Sequence, residues 1–263
     1  MRTAAFIGIA AFLTTLAATL SATVAAEIPL DQRRPDTDFI GADTRAMQND
    51  DTANPGMLVV LDGEALWQEK TGGSGKSCAD CHGDAATSMK GVAARYPAFM
   101  PELSRPVDLE QRINMSRVAD QKSAALPFES KDLLALTAYI ANQSRGMPVA
   151  VVENAQSKPF IEAGREIFER RQGQLNIACA QCHDDNWGKQ LAGNPVPQAM
   201  PTGYPIYRLE WQEVGSLQRR MRDCMTAMRA EPYAYGAPEL VDLEFFLLWR
   251  ARGMKVEAPA VRP

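Results

Sequence analysis

Two short motifs of the form C-x-x-C-H place the strongest constraint on what this chain can fold into. Their members are Cys78, Cys81 and His82 in the first motif and Cys179, Cys182 and His183 in the second. Two thiols three positions apart lie on one side of a helical turn, where both can add to the vinyl groups of a haem. The adjacent histidine then reaches under the ring and binds the iron. The motifs therefore predict two covalently bound haem c groups.

Other uses of paired cysteines agree less well with the sequence. A redox C-x-x-C or a disulfide does not need the histidine, and cysteines that share one zinc normally lie closer together than Cys81 and Cys179. The chain has only two histidines, and both stand in these motifs. The second axial ligand of each iron must then be methionine, cysteine, lysine, a terminal amine, water or nothing.

An internal repeat surrounds the motifs. Gly63 and Trp67 precede the first motif at the same distances at which Gly164 and Phe168 precede the second. Further on, DLLALTAYIANQSRGM at 132–147 matches ELVDLEFFLLWRARGM at 239–254, with leucines and aromatic residues at helical spacing. Each half thus reads as helix, motif, loop and terminal helix, which resembles a cytochrome c domain. We predict an all-α fold with two tandem cytochrome c-type domains and an extended N-terminal arm.

The predicted domain organisation has three parts. Residues 1–26 contain Arg2, an apolar run and small residues ending at Ala26, which is typical of a cleaved secretory signal; a membrane anchor is the alternative. Residues 27–150 hold the arm and the first domain, and residues 151–263 hold the second domain with the active site. The arm, residues 27 to about 55, is expected to wrap the first domain. We expect an exported, periplasmic protein without a membrane span after the signal.

The fifth cysteine, Cys224, lies in the segment QRRMRDCMTAMRAEPY. Arg220 stands four residues before it, so a helix would place both side chains on one face. Clustered guanidinium groups stabilise a thiolate and attract oxyanions, and the nearby arginines are Arg219, Arg220, Arg222 and Arg229. A buried inert thiol and a solvated run of charge are the alternatives. The overall net charge of -4 does not favour nucleic acid as a partner.

A comparison of the two halves bears on the first iron. At an offset of 108 residues, QRINMSR at 111–117 aligns with RRMRDCM at 219–225, so that Ser116 corresponds to Cys224. Serine is a poor iron ligand. We therefore favour Met115 as the second axial ligand of the first haem, with Met100 and Met89 as alternatives.

With both motifs, the repeat and the RMRDCMTAMRAEPY segment in view, the mature chain resembles the SoxA family. These proteins are the larger cytochrome subunits of the periplasmic sulfur-oxidising SoxAX complexes. The resemblance implies that Cys224 is the distal ligand of the second haem, is found as a persulfide and carries the sulfur substrate. It also implies that Arg220 binds the anionic substrate. Members with two haem motifs usually have a cysteine where this chain has Ser116, which leaves the first distal ligand open.

The resemblance implies a haem-dependent L-cysteine S-thiosulfotransferase. Thiosulfate would be coupled oxidatively to a cysteine of the carrier protein SoxYZ, and two electrons would leave through the haems to a cytochrome c. The implied partners also include the smaller cytochrome subunit SoxX, in a heterodimer. Two other functions remain open, namely a dihaem electron carrier without catalysis and a thiosulfate dehydrogenase that forms tetrathionate.

Overall fold

The computed structural model describes residues 28–263. The predicted signal peptide, residues 1–26, lies outside the described residues. Among the described residues, no helix is long and apolar enough to cross a membrane. Helices dominate the described chain, so the all-α prediction is confirmed. They are α1 Ala42–Asn49, α2 Gly56–Gln68, α3 Cys78–His82, α4 Ala85–Ser88, α5 Leu109–Ala119, α6 Lys131–Asn142, α7 Lys158–Glu169, α8 Cys179–His183, α9 Leu217–Ala227 and α10 Pro238–Arg250.

The two halves repeat one helical arrangement. In the first half α2 packs on α6, and in the second half α7 packs on α10. The motif helices α3 and α8 follow α2 and α7, and each lies against its predecessor. The helix pairs bury the repeated aromatic residues, since Trp67 is 2% exposed and Phe168 is 1% exposed. The order of helix, motif, loop and terminal helix is the one that the repeat predicts.

Glycine allows both helix pairs to approach closely. A Cβ atom added at Gly63 would lie 2.0 Å from the carbonyl oxygen of Ala135 on α6. A Cβ atom added at Gly164 would lie 2.0 Å from the carbonyl oxygen of Asp242 on α10. Real Cβ atoms do not come so near to backbone oxygen, so each crossing requires a residue without a side chain. The glycines of the sequence repeat therefore fix the spacing of the two helix pairs.

Short strands occupy the loops between the helices. They form three small sheets, made of β1 Ala98–Met100 with β2 Arg105–Val107, β3 Gln190–Leu191 with β4 Asn194–Pro195, and β5 Ile206–Arg208 with β6 Glu213–Gly215 and β7 Ala260–Arg262. The first hairpin pairs Ala98 with Val107, and the third sheet pairs Ile206 with Gly215 in the same antiparallel sense. Strand β7 runs parallel to β5. The β1–β2 hairpin ends directly before α5, and the β5–β6 hairpin ends directly before α9, so the hairpins determine where these two helices begin.

The N-terminal arm packs on the second domain, so the prediction that it wraps the first domain is wrong. The backbone N–H of Arg34 donates a hydrogen bond to Gln198 Oε1 over 2.7 Å. The side-chain Nε2 of Gln198 donates in turn to the backbone carbonyl of Gln32 over 3.0 Å. Phe39 meets Trp187 edge to face, with ring centroids 6.2 Å apart. The arm is also partly folded, because it contains α1 and the 3-10 turns Leu30–Gln32 and Asp36–Phe39.

The two halves face each other about an approximate two-fold axis. The segments that follow α6 and α10 exchange four backbone hydrogen bonds, and each bond has a partner bond related by the 107-residue repeat. The four bonds, each 2.8 Å long, run from Gly146 N to Val256 O, from Gly253 N to Val149 O, from Val256 N to Met147 O and from Val149 N to Met254 O. The segment between α6 and α7 is thus fastened at Val149 to the end of the second domain, and α7 begins at Lys158.

Candidate active site

The first motif opens onto a cavity of about 560 Å³. Helix α3 begins at Cys78 because the Ser77 side chain accepts a hydrogen bond from the Asp80 amide over 3.0 Å, which caps the helix. Both motif cysteines and His82 line the cavity, and Trp67 forms its inner wall. This volume lies within the usual range for sites that enclose a cofactor. The thiols, the imidazole and the space therefore fit a covalently bound haem.

Helix α5 forms the opposite wall of the first cavity. Arg112 and Ser116 line it, one helical turn apart, but Met115 does not. Neighbouring residues of a helix point about 100° apart, so the face that presents Ser116 turns Met115 away. The structure therefore does not bring together Met115 and His82, the pair that the sequence favoured. Of the two alternatives, Met89 lines the cavity and Met100 does not.

The second motif holds its histidine in a defined state. His183 Nδ1 lies 2.7 Å from the carbonyl oxygen of Pro197, so this nitrogen carries the proton and Nε2 is left with a free lone pair. Enclosure by the surrounding protein lowers the pKa of His183 to about 4, which keeps the ring neutral at pH 7. The ring centroid lies 6.4 Å from that of Phe168. A neutral imidazole with a free Nε2 is the form that binds iron.

A buried ion pair between Arg250 and Asp184 holds the second motif in place. The Arg250 guanidinium donates to the carboxylate of Asp184, the residue after His183, and both side chains are almost fully buried. The guanidinium carbon of Arg250 also lies 4.6 Å from the centre of the Phe168 ring. The pair joins α8 to α10, so the position of His183 is tied to the helix crossing.

Helix α9 brings Cys224 and Arg220 to the second motif. Residues at helical spacing along one face of α9 line the second cavity, which Cys179 and His183 also line; they are Leu217, Arg220, Met221, Cys224 and Met225. The cavity has a volume of about 80 Å³, so a haem fits there only when the lining side chains move apart. The donor set matches the group, since Cys179 and His183 line the cavity together with Cys224 of the opposite helix. Cys182 lies outside the lining, but burial raises its pKa and nearby Cys224 raises this pKa further. These residues could hold a haem with Cys224 on its far side.

Only one of the four neighbouring arginines lines this cavity. Arg219 forms an ion pair with Glu213 at 2.6 Å and lies over the Trp211 ring at 4.2 Å. Arg222 donates to the carbonyl of Tyr233. Arg220 is the member that faces Cys224, as the spacing of four residues predicts. Arg219 and Arg222 point elsewhere, because a helix distributes consecutive residues around its axis.

The structure adds two polar side chains that the sequence reasoning missed. Asp36 from the arm and Tyr204 line the cavity beside Arg220. The Met200 amide donates to Asp36 Oδ1 over 3.3 Å, while burial raises the pKa of this carboxyl to about 6. Burial also raises the pKa of Tyr204. Burial lowers the pKa of Arg220, but the nearby acidic groups, Cys224 first among them, outweigh it and raise the pKa above its ordinary value. No local pattern in the sequence indicates that Asp36 reaches a site almost 190 residues further on.

Comparison with known proteins identifies the family. The sequence matches the family of SoxA/TsdA cytochrome c domains at residues 62–149 and again at 163–256, and each match contains one motif. It is 40% identical over 235 residues to the L-cysteine S-thiosulfotransferase subunit SoxA of Pseudaminobacter salicylatoxidans, covering 89% of this chain and 82% of that protein. The chain belongs to the SoxA family. A second SoxA, from Rhodovulum sulfidophilum, is 36% identical over 88% of this chain and 81% of its own length.

A solved structure confirms the SoxA architecture. The crystal structure of SoxXA from P. pantotrophus matches with a TM-score of 0.85 and 31% sequence identity, over 88% of this chain and 87% of that chain. The prediction of two tandem cytochrome c-type domains is therefore confirmed. Membership in a cytochrome c domain family implies covalent haem c.

Proposed function

We propose that this chain is the catalytic subunit of an L-cysteine S-thiosulfotransferase. The reaction joins thiosulfate to a thiol of a carrier protein, RSH + S₂O₃²⁻ → RSSSO₃⁻ + H⁺ + 2 e⁻. One observation carries the proposal: Cys224 and Arg220 line the same cavity as His183 and the second haem motif. A chain that only carried electrons would need neither a thiol nor an enclosed guanidinium there.

Arg220 is the proposed binding group for thiosulfate. A dianion that leaves water loses hydration energy, and a guanidinium offsets this cost with two parallel hydrogen bonds to oxygen. Asp36 and Tyr204 line the cavity beside Arg220 and act on its charge, so these three groups together determine the net charge around the substrate. The preorganised cation therefore holds the substrate next to the thiol that reacts with it.

Cys224 is the proposed sulfur carrier. In this proposal it holds an additional sulfur atom as a persulfide, which is first joined oxidatively to thiosulfate, CysS–SH + S₂O₃²⁻ → CysS–S–S–SO₃⁻ + H⁺ + 2 e⁻. The carrier thiol then displaces the persulfide by exchange, RSH + CysS–S–S–SO₃⁻ → RSSSO₃⁻ + CysS–SH. Haem, when bound to these residues, would supply the acceptor for the two electrons. Cys179, Cys182, His183 and Cys224 are the residues that would hold the second haem, while Cys78, Cys81 and His82 would hold the first.

The first domain has the proposed role of electron transfer. It has Ser116 at the position of Cys224 and Arg112 at the position of Arg220, so its cavity lacks the thiol. Met89 lines this cavity and replaces Met115 as our candidate for the second axial ligand of the first iron. A methionine ligand raises the potential of a haem relative to a thiolate, which suits an outgoing electron.

The proposed partners follow from the family. The structural neighbour is a SoxXA complex, and we propose that a smaller cytochrome subunit SoxX forms a heterodimer with this chain. The carrier thiol would belong to SoxYZ, and the electrons would pass to a cytochrome c. The reaction would take place in the periplasm, after export directed by residues 1–26.

Replacement of Cys224 by serine tests the proposal. In the haem-loaded complex with SoxX, Cys224→Ser should lower thiosulfate conjugation to the SoxYZ thiol by at least about a hundredfold, because serine cannot carry sulfur. Thr226→Ser, at an exposed position of the same helix, is the matched control and should retain full activity. Conjugation of the carrier is read from its mass and electron release from reduction of cytochrome c. Full activity of Cys224→Ser, or tetrathionate formation without any carrier, would contradict the proposal.

A further inference from the structure

A third cavity lies on the approximate two-fold axis, between the two domains. It has a volume of about 70 Å³, and the residues that line it come in pairs related by the 107- and 108-residue offsets of the repeat. The pairs include Tyr96 with Tyr204, Asp108 with Ser216, Leu109 with Leu217, Glu110 with Gln218, Thr137 with Glu244, and Val149 with Val256. The cavity is thus a product of the interface between the two domains.

This interdomain cavity adjoins both haem cavities. Tyr96 and Leu109 line it and also line the cavity of the first motif. Tyr204 and Leu217 line it and also line the cavity of Cys224 and Arg220. Pro201 is also shared by the interdomain cavity and the cavity of Cys224, so single layers of side chains separate the interdomain cavity from the two sites. A charge inside the interdomain cavity therefore acts on both haem sites through a layer of side chains, which screens it less than water would.

Three carboxyl groups face the interdomain cavity. Asp108 and Glu110 are 2% and 7% exposed, and Glu244 is partly buried. Among the described residues that line this cavity, none is basic. Burial raises the pKa of Asp108 to about 6 and raises those of Glu110 and Glu244 well above the usual range. Three close carboxyl groups without a basic residue in the lining cannot all be ionised at once, so they share protons, and a nearby charge changes how many protons the group holds.

The three carboxyl groups differ in their hydrogen bonds. Asp108 caps α5 and accepts from the Gln111 amide and from Gln218 Nε2, each over 2.7 Å, and these bonds favour its ionised form. Glu110 Oε2 has no partner although its residue is buried. The cavity volume is several times the roughly 10–15 Å³ that one water molecule requires. Glu110 therefore faces a space that is large enough for water and is lined by the other two carboxyl groups.

The repeat shows that packing does not require an acid at position 110. Its counterpart, Gln218, fills the equivalent position with a neutral amide of the same size, and both ends of that amide are hydrogen-bonded. Glu244 likewise corresponds to Thr137 in the other half. Each half thus places an acid in the interdomain cavity where the other half has a neutral side chain. A purely structural role would be met by the neutral residues.

We infer that the interdomain cavity is a proton-binding site in which Glu110 and Glu244 take up a proton when the chain is reduced and release it on reoxidation. An electron that enters the chain adds a negative charge, and H⁺ + RCOO⁻ → RCOOH in the cavity compensates it. This inference rests on the proposed function, because thiosulfate conjugation would supply both the electron and the proton. Conjugation of thiosulfate releases one proton for its two electrons, so one carboxylate suffices for each turnover.

Other titratable groups surround Glu110 and Glu244. Those that face the interdomain cavity or act on its carboxyl groups are Tyr96, Arg105, Asp108, Glu129 and Tyr204. Arg105 is an outer charge that favours ionised Asp108. Glu129 opposes ionisation of Glu110 and has Arg219 4.0 Å away. The acids with the least compensation are therefore Glu110 and Glu244.

Redox potentials measured against pH test the inference. In the haem-loaded complex, the midpoint potential of at least one haem should fall between pH 6 and pH 8, with a limit of about 59 mV per pH unit for one proton per electron. The Glu110→Gln, Glu244→Gln double variant should lose at least half of this slope. Glu102→Gln, at an exposed position, is the control and should keep it. A flat profile in the wild type, or an unchanged slope in the double variant, would overturn the inference.

Infrared difference spectra give a second measurement that needs no variant to fold. Reduction of the wild-type complex should increase a protonated-carboxyl band, and this band should shift in D₂O. Glu110→Gln alone, which introduces the side chain of its counterpart Gln218, should weaken the band. No carboxyl change on reduction would overturn the inference. Neither measurement uses thiosulfate or carrier, so a failure here is distinguishable from a failure of the proposed enzyme activity.

Discussion

At the scale of the residue, one position separates the two domains. Cys224 and Ser116 stand at equivalent places, and each lies one helical turn after an arginine that lines the same cavity. A thiol can form a bond to sulfur and a serine hydroxyl cannot do so at neutral pH. Of the two repeated cavities in the described chain, only the second therefore has a cysteine on the helix opposite its motif.

Replacement of Arg220 should affect thiosulfate binding more than the chemical step. Arg220→Gln removes the one charged donor of the Cys224 segment that lines the cavity, and a hydrogen bond to a charged group is worth about 1.5–3 kcal/mol. We expect the KM for thiosulfate to rise at least about tenfold, with a smaller change in kcat. Arg219→Gln alters the neighbouring arginine, which pairs with Glu213, and should leave KM near the wild-type value. Equal effects of both substitutions in steady-state kinetics would contradict this role.

The sequence predicted the site residues unevenly. The C-x-x-C-H spacing and the four-residue step from Arg220 to Cys224 are local patterns, and the structure brings these residues together. The choice between Met115 and Ser116 depends on how α5 is rotated about its axis, and an error of one residue is a rotation of about 100°. Leu109 and Ile113 of α5 face the first cavity and fix that rotation. Their packing partners are distant in sequence, so no local pattern revealed it.

At the scale of the element, the two helix crossings explain why the domains share one architecture. Gly63 and Gly164 allow α2 and α7 to lie against the backbones of α6 and α10. The same crossings bury Trp67 and Phe168 beside the two motif histidines. The spacing of the helices therefore determines where each histidine lies relative to its cavity.

Alanine at either crossing should destabilise its domain. The added methyl of Gly63→Ala or Gly164→Ala would overlap a backbone oxygen that cannot move without shifting a helix, and overpacking of this kind costs about 1–3 kcal/mol. Gly73→Ala is a suitable control because its methyl would meet nothing nearer than 3.5 Å. Urea denaturation should show a lower free energy of unfolding for both crossing variants and a change within about 0.5 kcal/mol for the control. Wild-type stability of Gly63→Ala would show that the helices separate at little cost.

The elements were predictable where they are long and periodic. The terminal helices α6 and α10 follow from leucine and aromatic residues at helical spacing, and their boundaries lie close to the repeated segments. The hairpins before α5 and α9 escaped prediction because strands of three residues are too short to show an alternation of apolar and polar side chains. These strands are specified by the helices they join more than by their own residues.

At the scale of the whole molecule, the second domain receives contributions from the entire chain. The arm supplies Asp36 to its cavity, and Gln198 fastens that arm from 164 residues away. The C-terminal strand β7 joins the sheet that precedes α9. Such contacts depend on how distant segments meet, so the composition of the arm could not indicate which domain it covers. The domain with the proposed chemistry is thus also the one that the chain termini enclose.

The sulfur content of Cys224 is the most direct test of whether this residue carries sulfur during the reaction. The measurement is mass spectrometry of the peptide containing Cys224, taken from the intact, exported and haem-loaded protein before and after exposure to thiosulfate and SoxYZ. We expect an additional sulfur atom on Cys224, with the other four cysteines attached to haem. A Cys224 that remains an unmodified, alkylatable thiol throughout turnover would contradict the account and favour a dihaem electron carrier.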